Sequence, residues 1–220
     1  MGLLLGLFLY AVAQLLSPWL PPLLSAGIIV ALWLKLTGAL HLDGAMDVAD
    51  AFGVFDTEKR LTVMSDSHSG AFGVITAVMI LLLKVSAVSS VVNAFSLWLC
   101  VIPVWGRFAH VLAVGQYPYL KKTGKGALHH ENFVQFWDYI PGILVHLLIL
   151  FVFLKLDLFS PFLVFLICFC LAPLTSWSVG RWFYQQFQGM TGDIHGAIVE
   201  WTETLLLIEI IGVSKILQTF

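Results

Sequence analysis

Seven apolar runs, each close to the length of a membrane span and separated by short or polar connections, constrain this chain more than any other feature. They run from Gly2 to Leu16, Leu23 to Leu40, Gly70 to Val91, Phe95 to Val114, Tyr139 to Leu156, Pro161 to Gly180 and Ala197 to Leu217. A bilayer core takes about 20 apolar residues per helix. Inside lipid the backbone must satisfy its own hydrogen bonds, so runs without a strand-like alternation read as helices. The expected fold is therefore all-α, a polytopic bundle of about seven transmembrane helices. With 60% of residues apolar and 11% charged, nearly all of the chain belongs in lipid or in a bundle surrounded by it.

Three connections are long and polar: Asp43 to Ser69, Gln116 to Asp138 and Arg181 to Gly196. They follow the second, fourth and sixth runs, so alternation places them on one side. They carry Lys59, Arg60, Lys121, Lys122, Lys125 and Arg181, whereas the opposite connections hold Lys155 and the tail Lys215. By the positive-inside rule the three loops are expected in the cytoplasm. The run Gly2 to Tyr10 followed by Ala11-Val12-Ala13 imitates a signal peptide. No Lys or Arg precedes it and the downstream residues are equally apolar, so it reads as a retained helix. With no linker, low-complexity tract or internal repeat, residues 1–220 form a single membrane domain. A net charge of −2 without a basic tract excludes nucleic acid as a partner. Cys100, Cys168 and Cys170 lie in apolar runs without ligand spacing and read as packing or lipid-facing residues.

Chemistry concentrates in the loops. In His41-Leu-Asp-Gly-Ala-Met-Asp47-Val-Ala-Asp50, the residues Asp43, Asp47 and Asp50 stand at i, i+4 and i+7, one face of a helix. Three stacked carboxylates repel unless a cation or a proton relieves them, which suggests a divalent metal site. Further on, after a short helical pattern near Asp56, Met64-Ser-Asp66-Ser67-His68-Ser-Gly70 leads into the third run, where Ser67 or Ser69 can cap a helix whose open N-terminus would attract phosphate. Lys121-Lys122-Thr-Gly-Lys125-Gly126 offers cations, although topology alone predicts a basic loop. Arg107 lies within an apolar run, where an unpaired cation costs several kcal/mol, so it should meet a carboxylate or a phosphate. Asp193, Ala197 and Glu200 share a helical face at the mouth of the last run, with Glu203 and Glu209 deeper. Glu200 is expected to serve function, the alternative being a structural pair with Lys84 or Arg107. His41, His68 and His195 sit inside the acidic motifs; His110 and His146 read as packing residues.

Acids on two helix mouths beside basic groups suit phosphoryl transfer from a nucleotide-activated donor with Mg²⁺. Moreover His41-Leu-Asp-Gly-x-x-Asp-x-x-Asp50, Met64-x-Asp-Ser-x-x-Gly-x-Phe-Gly73 and Thr191-Gly-Asp-x-x-Gly-Ala-x-x-Glu200 resemble, in order and across essentially the whole chain, three signature blocks of the cobalamin synthase family. The resemblance implies a multi-pass prokaryotic inner-membrane transferase acting on adenosylcobinamide-GDP and α-ribazole or its 5′-phosphate, with Mg²⁺ as cofactor. It implies attack of the ribose 3′-hydroxyl on the cobinamide-linked phosphate and release of GMP. Residue chemistry and resemblance together make Asp43, Asp47, Asp50 and Asp193 the catalytic set. Asp43, Asp47, Asp50, Asp66, Asp193 and Glu200 are the metal ligands, and His41, Asp66, Ser67, His68, Gly70, Arg107, Lys122, Thr191, Gly192 and Glu200 the substrate contacts.

The chain departs from the family in three places. His68 stands where an arginine is usual, the Lys121 to Gly126 loop replaces one that often reads Glu-Gly-Leu-Gly, and the polar stretch that usually precedes the first span is missing, which suggests a late start or a truncation. A CDP-alcohol phosphotransferase is the rival enzyme, but Asp43-Gly-Ala-Met-Asp47 lacks the Ala-Arg of that motif. An ion-coupled transporter is the non-enzymatic rival, and it predicts acids at mid-membrane on broken helices. Nothing in the residues sets an oligomeric state, and a homo-oligomer stays open.

Overall fold

The computed structural model describes residues 1–66, 68–92, 96–121, 125–155 and 162–219. These form ten helices: α1 Gly2–Leu16, α2 Pro22–Leu36, α3 Leu40–Phe52, α4 Thr57–Val63, α5 Ala71–Val91, α6 Trp98–Gln116, α7 Lys125–Glu131, α8 Gln135–Lys155, α9 Phe162–Phe187 and α10 Gly192–Thr219. No strand is named among the described residues, so the protein is all-α. Its seven longest helices fall on the seven expected segments.

Length divides these seven. Residues 71–91, 98–116 and 166–187 are long and apolar enough to cross a membrane, and α2 with α3 would make a fourth only across an 87° bend. α1 and α2, at 15 residues each, extend about 22 Å against a hydrocarbon core of about 30 Å. Among the described residues the count by length is thus three to four rather than seven. α10 has 28 residues but carries Glu200, Glu203 and Glu209 along its inner side, so its sequence is less apolar than its position.

Burial is inverted relative to a water-soluble bundle. α5 turns Phe72, Ile75, Met79 and Leu82 outward and buries Lys84 together with Ile80, Ala87, Val88 and Val91. An apolar exterior around a charged interior is the arrangement that lipid favours, because the only polar solvent for Lys84 is the protein itself. The main core gathers Leu9, Trp33, Val88, Leu99, Ile102 and Leu207 about the middle of the bundle. A second cluster, containing Ala45, Val48, Phe183, Ile194 and Ile198, fixes the end at which the polar loops meet.

Two backbone devices shape that end. Gly38 and Ala39 both take left-handed φ values, 64° and 55°, and turn the chain through 87° between α2 and α3; glycine adopts this conformation without a steric penalty, alanine only when its surroundings enforce it. α3 therefore lies across the bundle end instead of prolonging α2. Gly44 then lets α3 approach α10 closely, for a methyl placed there would stand 2.5 Å from the carbonyl oxygen of Asp193. The Gly44→Ala variant should lose stability by roughly 1–3 kcal/mol through overpacking and lose activity more severely. Parental melting temperature together with parental turnover would show that this contact does not position the site.

Candidate active site

The three polar connections converge. The amide of Met190 donates to Pro118 O and that of Leu120 to Met190 O, each at 2.8 Å, tying the second loop to the third. Arg60, on the first loop, donates to Gln186 O at the end of α9. Across the Gly44 contact the acidic face of α3 meets the start of α10, so Asp47 feels the charge of Asp193 from a distant part of the sequence.

Repulsion marks this cluster. The Asp47 carboxyl is raised to about 6, first by burial and then by the charges of Asp43, Asp193 and Asp50, with Lys121 opposing. Lys121 Nζ lies 3.5 Å from Asp193 Oδ2. Lys122, the lysine of this tract expected to contact substrate, lies outside the described residues, as does Ser67. At the start of α10, Thr191 Oγ1 accepts from the Ile194 amide at 3.2 Å and stands 3.3 Å from Asp193 Oδ2. Thr191 is thus the cap that orients Asp193, and Gly192 beside it borders open space.

Asp50 is placed differently from its two neighbours. Its Oδ2 accepts from the Gly70 amide at 2.7 Å and its Oδ1 from the Gly73 amide at 2.8 Å. The α5 N-terminus, expected to be open to phosphate, is therefore covered by a side chain from α3. The helix start attracts an anion as anticipated, but the anion is the protein's own. Asp50→Ala should destabilise the fold by about 1–2 kcal/mol, the worth of a lost N-cap. A melting temperature equal to the parent's would argue that Asp50 is free for another role.

Glu200 does not stand beside Asp193 at the helix mouth, where its spacing predicts it. It is 2% exposed, with Oε1 2.6 Å from Lys84 Nζ. The same ammonium donates to Glu203 Oε2 at 3.0 Å and lies over the Trp33 ring. Arg107 meets a carboxylate, as its setting demands, with Nη1 3.6 Å from Glu203 Oε1. Thus the structural alternative describes Glu200: two glutamates and two cations form a neutral interior network, one turn and more below the acid cluster. Glu209 accepts from Thr175 Oγ1 at 2.6 Å. Asp66 is exposed and engaged with His68, whose Nδ1 lies 2.6 Å from Asp66 Oδ1; that hydrogen bond holds the Asp66 carboxyl below its ordinary value and raises the His68 imidazole. Gly70, counted among the substrate contacts, donates its amide to Asp50.

Among the described residues, no three His, Cys, Asp or Glu side chains stand as a ready metal cage. The six carboxylates expected as metal ligands therefore do not meet as one set; Mg²⁺ itself takes one or two carboxylates beside water and substrate phosphate. Asp43 and Asp47 keep their carboxylate oxygens for a cation, and Asp193 keeps Oδ1 beside the Oδ2 that meets Lys121 and Thr191. Asp50, Asp66 and Glu200 already have partners.

Sequence reasoning also missed a gathering of imidazoles. His41, His110, His129, His130 and His195 line one cavity of about 360 Å³ beside the acids. Burial, then the positive charges of Arg107 and Lys84, lowers His41 to about 3, so its imidazole is neutral at ordinary pH. The one available signal was the His129-His130 pair on a loop assigned to the same side as His41 and His195.

Residues 1–211 match the family described as cobalamin-5-phosphate synthase. A protein of Thermosynechococcus vestitus named adenosylcobinamide-GDP ribazoletransferase is 46% identical over 209 residues, which cover 94% of this chain and 81% of that protein. One of the same name from Synechococcus elongatus is 45% identical over 206 residues, 93% of this chain and 81% of its own length. Another, from Pseudomonas aeruginosa, is 35% identical over 215 residues, 94% and 82% respectively. No solved structure matches the chain. A family match over nearly the whole length, with the three motif blocks meeting at one bundle end, means that the chain belongs to the cobalamin-5-phosphate synthase family of membrane transferases.

Proposed function

We propose that this protein transfers the cobinamide phosphate of adenosylcobinamide-GDP to the ribose 3′-hydroxyl of α-ribazole or its 5′-phosphate. In this reaction the hydroxyl oxygen forms a bond to the cobinamide-linked phosphorus, the bond from that phosphorus to the GMP oxygen breaks, and the hydroxyl proton passes to a carboxylate. Adenosylcobalamin or its 5′-phosphate and GMP result. The observation that carries the reading is the meeting of Asp43 and Asp47 with Asp193 across the Gly44 contact, since it joins two of the three family blocks in one polar site.

Two of the carboxylates Asp43, Asp47 and Asp193 would hold Mg²⁺, which would supply charge neutralisation to the phosphate oxygens. Lys121 balances part of the cluster's negative charge and stands where a phosphate would arrive. Thr191 and the α3–α10 contact keep Asp193 and Asp47 in register, so little rearrangement is required when substrate binds. The site lies on the cytoplasmic face of a prokaryotic inner membrane, in keeping with the basic loops around it.

Incubation of purified protein with adenosylcobinamide-GDP, α-ribazole and Mg²⁺ tests the reaction. GMP and a new corrinoid should appear together, and chelation of Mg²⁺ should stop both. Failure to form the corrinoid in folded protein would sink the proposal. Orientation is tested by cysteines introduced at Thr57 and Gln188 in a background lacking the native three. Neither should label from outside intact cells, and labelling of either would overturn the cytoplasmic placement.

A further inference from the structure

Five of the seven histidines, contributed by four different helices, face a single cavity. His41 comes from α3, His110 from α6, His129 and His130 from α7, and His195 from α10. His130 Nε2 and His195 Nε2 are 3.1 Å apart, and the His110 and His195 rings lie 4.7 Å centre to centre. The Tyr119 ring covers His130 at 4.8 Å. So many imidazoles first suggest a transition metal. Yet among the described residues no three ligand side chains come together as an ion would require, and soft metal sites are built from at least that many.

The chemistry of the walls points elsewhere. Each neutral imidazole offers one N–H and one lone pair, set on a flat aromatic ring. Their donors and acceptors match the edge of an aromatic nitrogen heterocycle, and their faces match its plane. His195 is 5% exposed, and its ring lies nearly parallel to that of Tyr119, 6.2 Å away centre to centre, so the cavity wall presents flat aromatic faces. Among the described residues no lysine or arginine lines the cavity, so a bare anion meets no permanent cation there.

Size and place narrow the ligand further. About 360 Å³ lies near the lower end of the range for small-ligand pockets. That suits one nucleoside and is too small for a tetrapyrrole-sized macrocycle. Two of its wall residues, His41 and Gly192, are near neighbours in sequence of the acids Asp43 and Asp193. A base held among the imidazoles would place its ribose at the carboxylate cluster.

We propose that this histidine-lined cavity seats the aromatic nitrogen base of a nucleoside substrate and directs the attached ribose towards Asp43 and Asp193. The inference rests on the reaction proposed above, in which two species carry such a base: the benzimidazole riboside that accepts the phosphoryl group, and the guanosine nucleotide that leaves.

Equilibrium dialysis of the full-length protein in detergent separates these sources, with α-ribazole in one arm and GMP in the other. The parent should bind at least one of them. His130→Ala, on the partly exposed α7, should weaken that binding tenfold or more while keeping the parental melting temperature. Loss in the α-ribazole arm alone assigns the cavity to the acceptor, and loss in the GMP arm alone assigns it to the donor. His110→Asn, which keeps a flat polar side chain, serves as a second variant and should weaken the same arm. Should neither nucleoside bind the parent, or both bind the two variants as tightly as the parent, the cavity is not a base site. Turnover by the parent is measured separately. Active protein with variants unchanged in binding overturns the cavity alone, whereas binding that depends on His130 in protein that makes no corrinoid overturns the reaction and leaves the cavity standing.

Discussion

Asp47→Asn and Asp193→Asn should each lower kcat by roughly 10³- to 10⁴-fold, and the double variant should be scarcely worse than either single. Both carboxylates belong to one repelling cluster, built from α3 and α10 across the Gly44 contact. Once the charge on one side is lost, a metal and its phosphate have no paired site for the other to complete. An amide removes charge at nearly constant volume, so the bundle should persist. With Mg²⁺ chelated, Asp47→Asn should melt at or above the parental temperature. The sign follows from linkage: the folded-state carboxyl is raised to about 6 from the ordinary 3.8, so Asp47 favours the fold most fully below pH 4 and loses that contribution as pH rises through 6. An uncharged side chain does not carry this penalty at pH 7. Steady-state kinetics of the three variants decide the matter. Losses that multiply would mean two independent sites, and near-parental activity of Asp47→Asn would return the α3 acids to a structural role.

Lys84→Met should cost the fold roughly 3–5 kcal/mol, because it strands Glu200 and Glu203 without their shared cation in the interior. For a chain of this length that corresponds to a melting temperature lower by about 10 °C. Arg107 lies 3.6 Å from Glu203 and compensates only in part, since two carboxylates then face one guanidinium. Converting Glu200 to Gln in the same protein should recover most of the loss, because Glu203 then keeps Arg107 as its partner and the interior is neutral again. Thermal melts of the single and double variants in one detergent are the test. A single variant that melts with the parent would show that water or lipid headgroups reach the cluster.

Much of this architecture was legible in the residues. The apolar runs could only be helices in lipid, and they fall where α1, α2, α5, α6, α8, α9 and α10 form. The i, i+4, i+7 spacing of Asp43, Asp47 and Asp50 named a helical face, and α3 is that helix. Arg107 in an apolar run had to find an acid, and it found Glu203. In each case the information is local: periodicity, desolvation cost and span length act within a few turns of one segment.

What the sequence left open was which partner each face would meet. Asp50 shares its face with Asp47, yet it is bound to the start of α5, because the 87° bend at Gly38 and Ala39 lays α3 across that helix end. Glu200 shares its face with Asp193, yet α10 carries it two turns inward, beyond the loops and level with Lys84. The five histidines belong to four helices that no local pattern relates. Spacing along a helix sets the direction in which a side chain points, whereas the neighbour it meets is set by crossing angles and close backbone approaches, and these arise only when the helices pack.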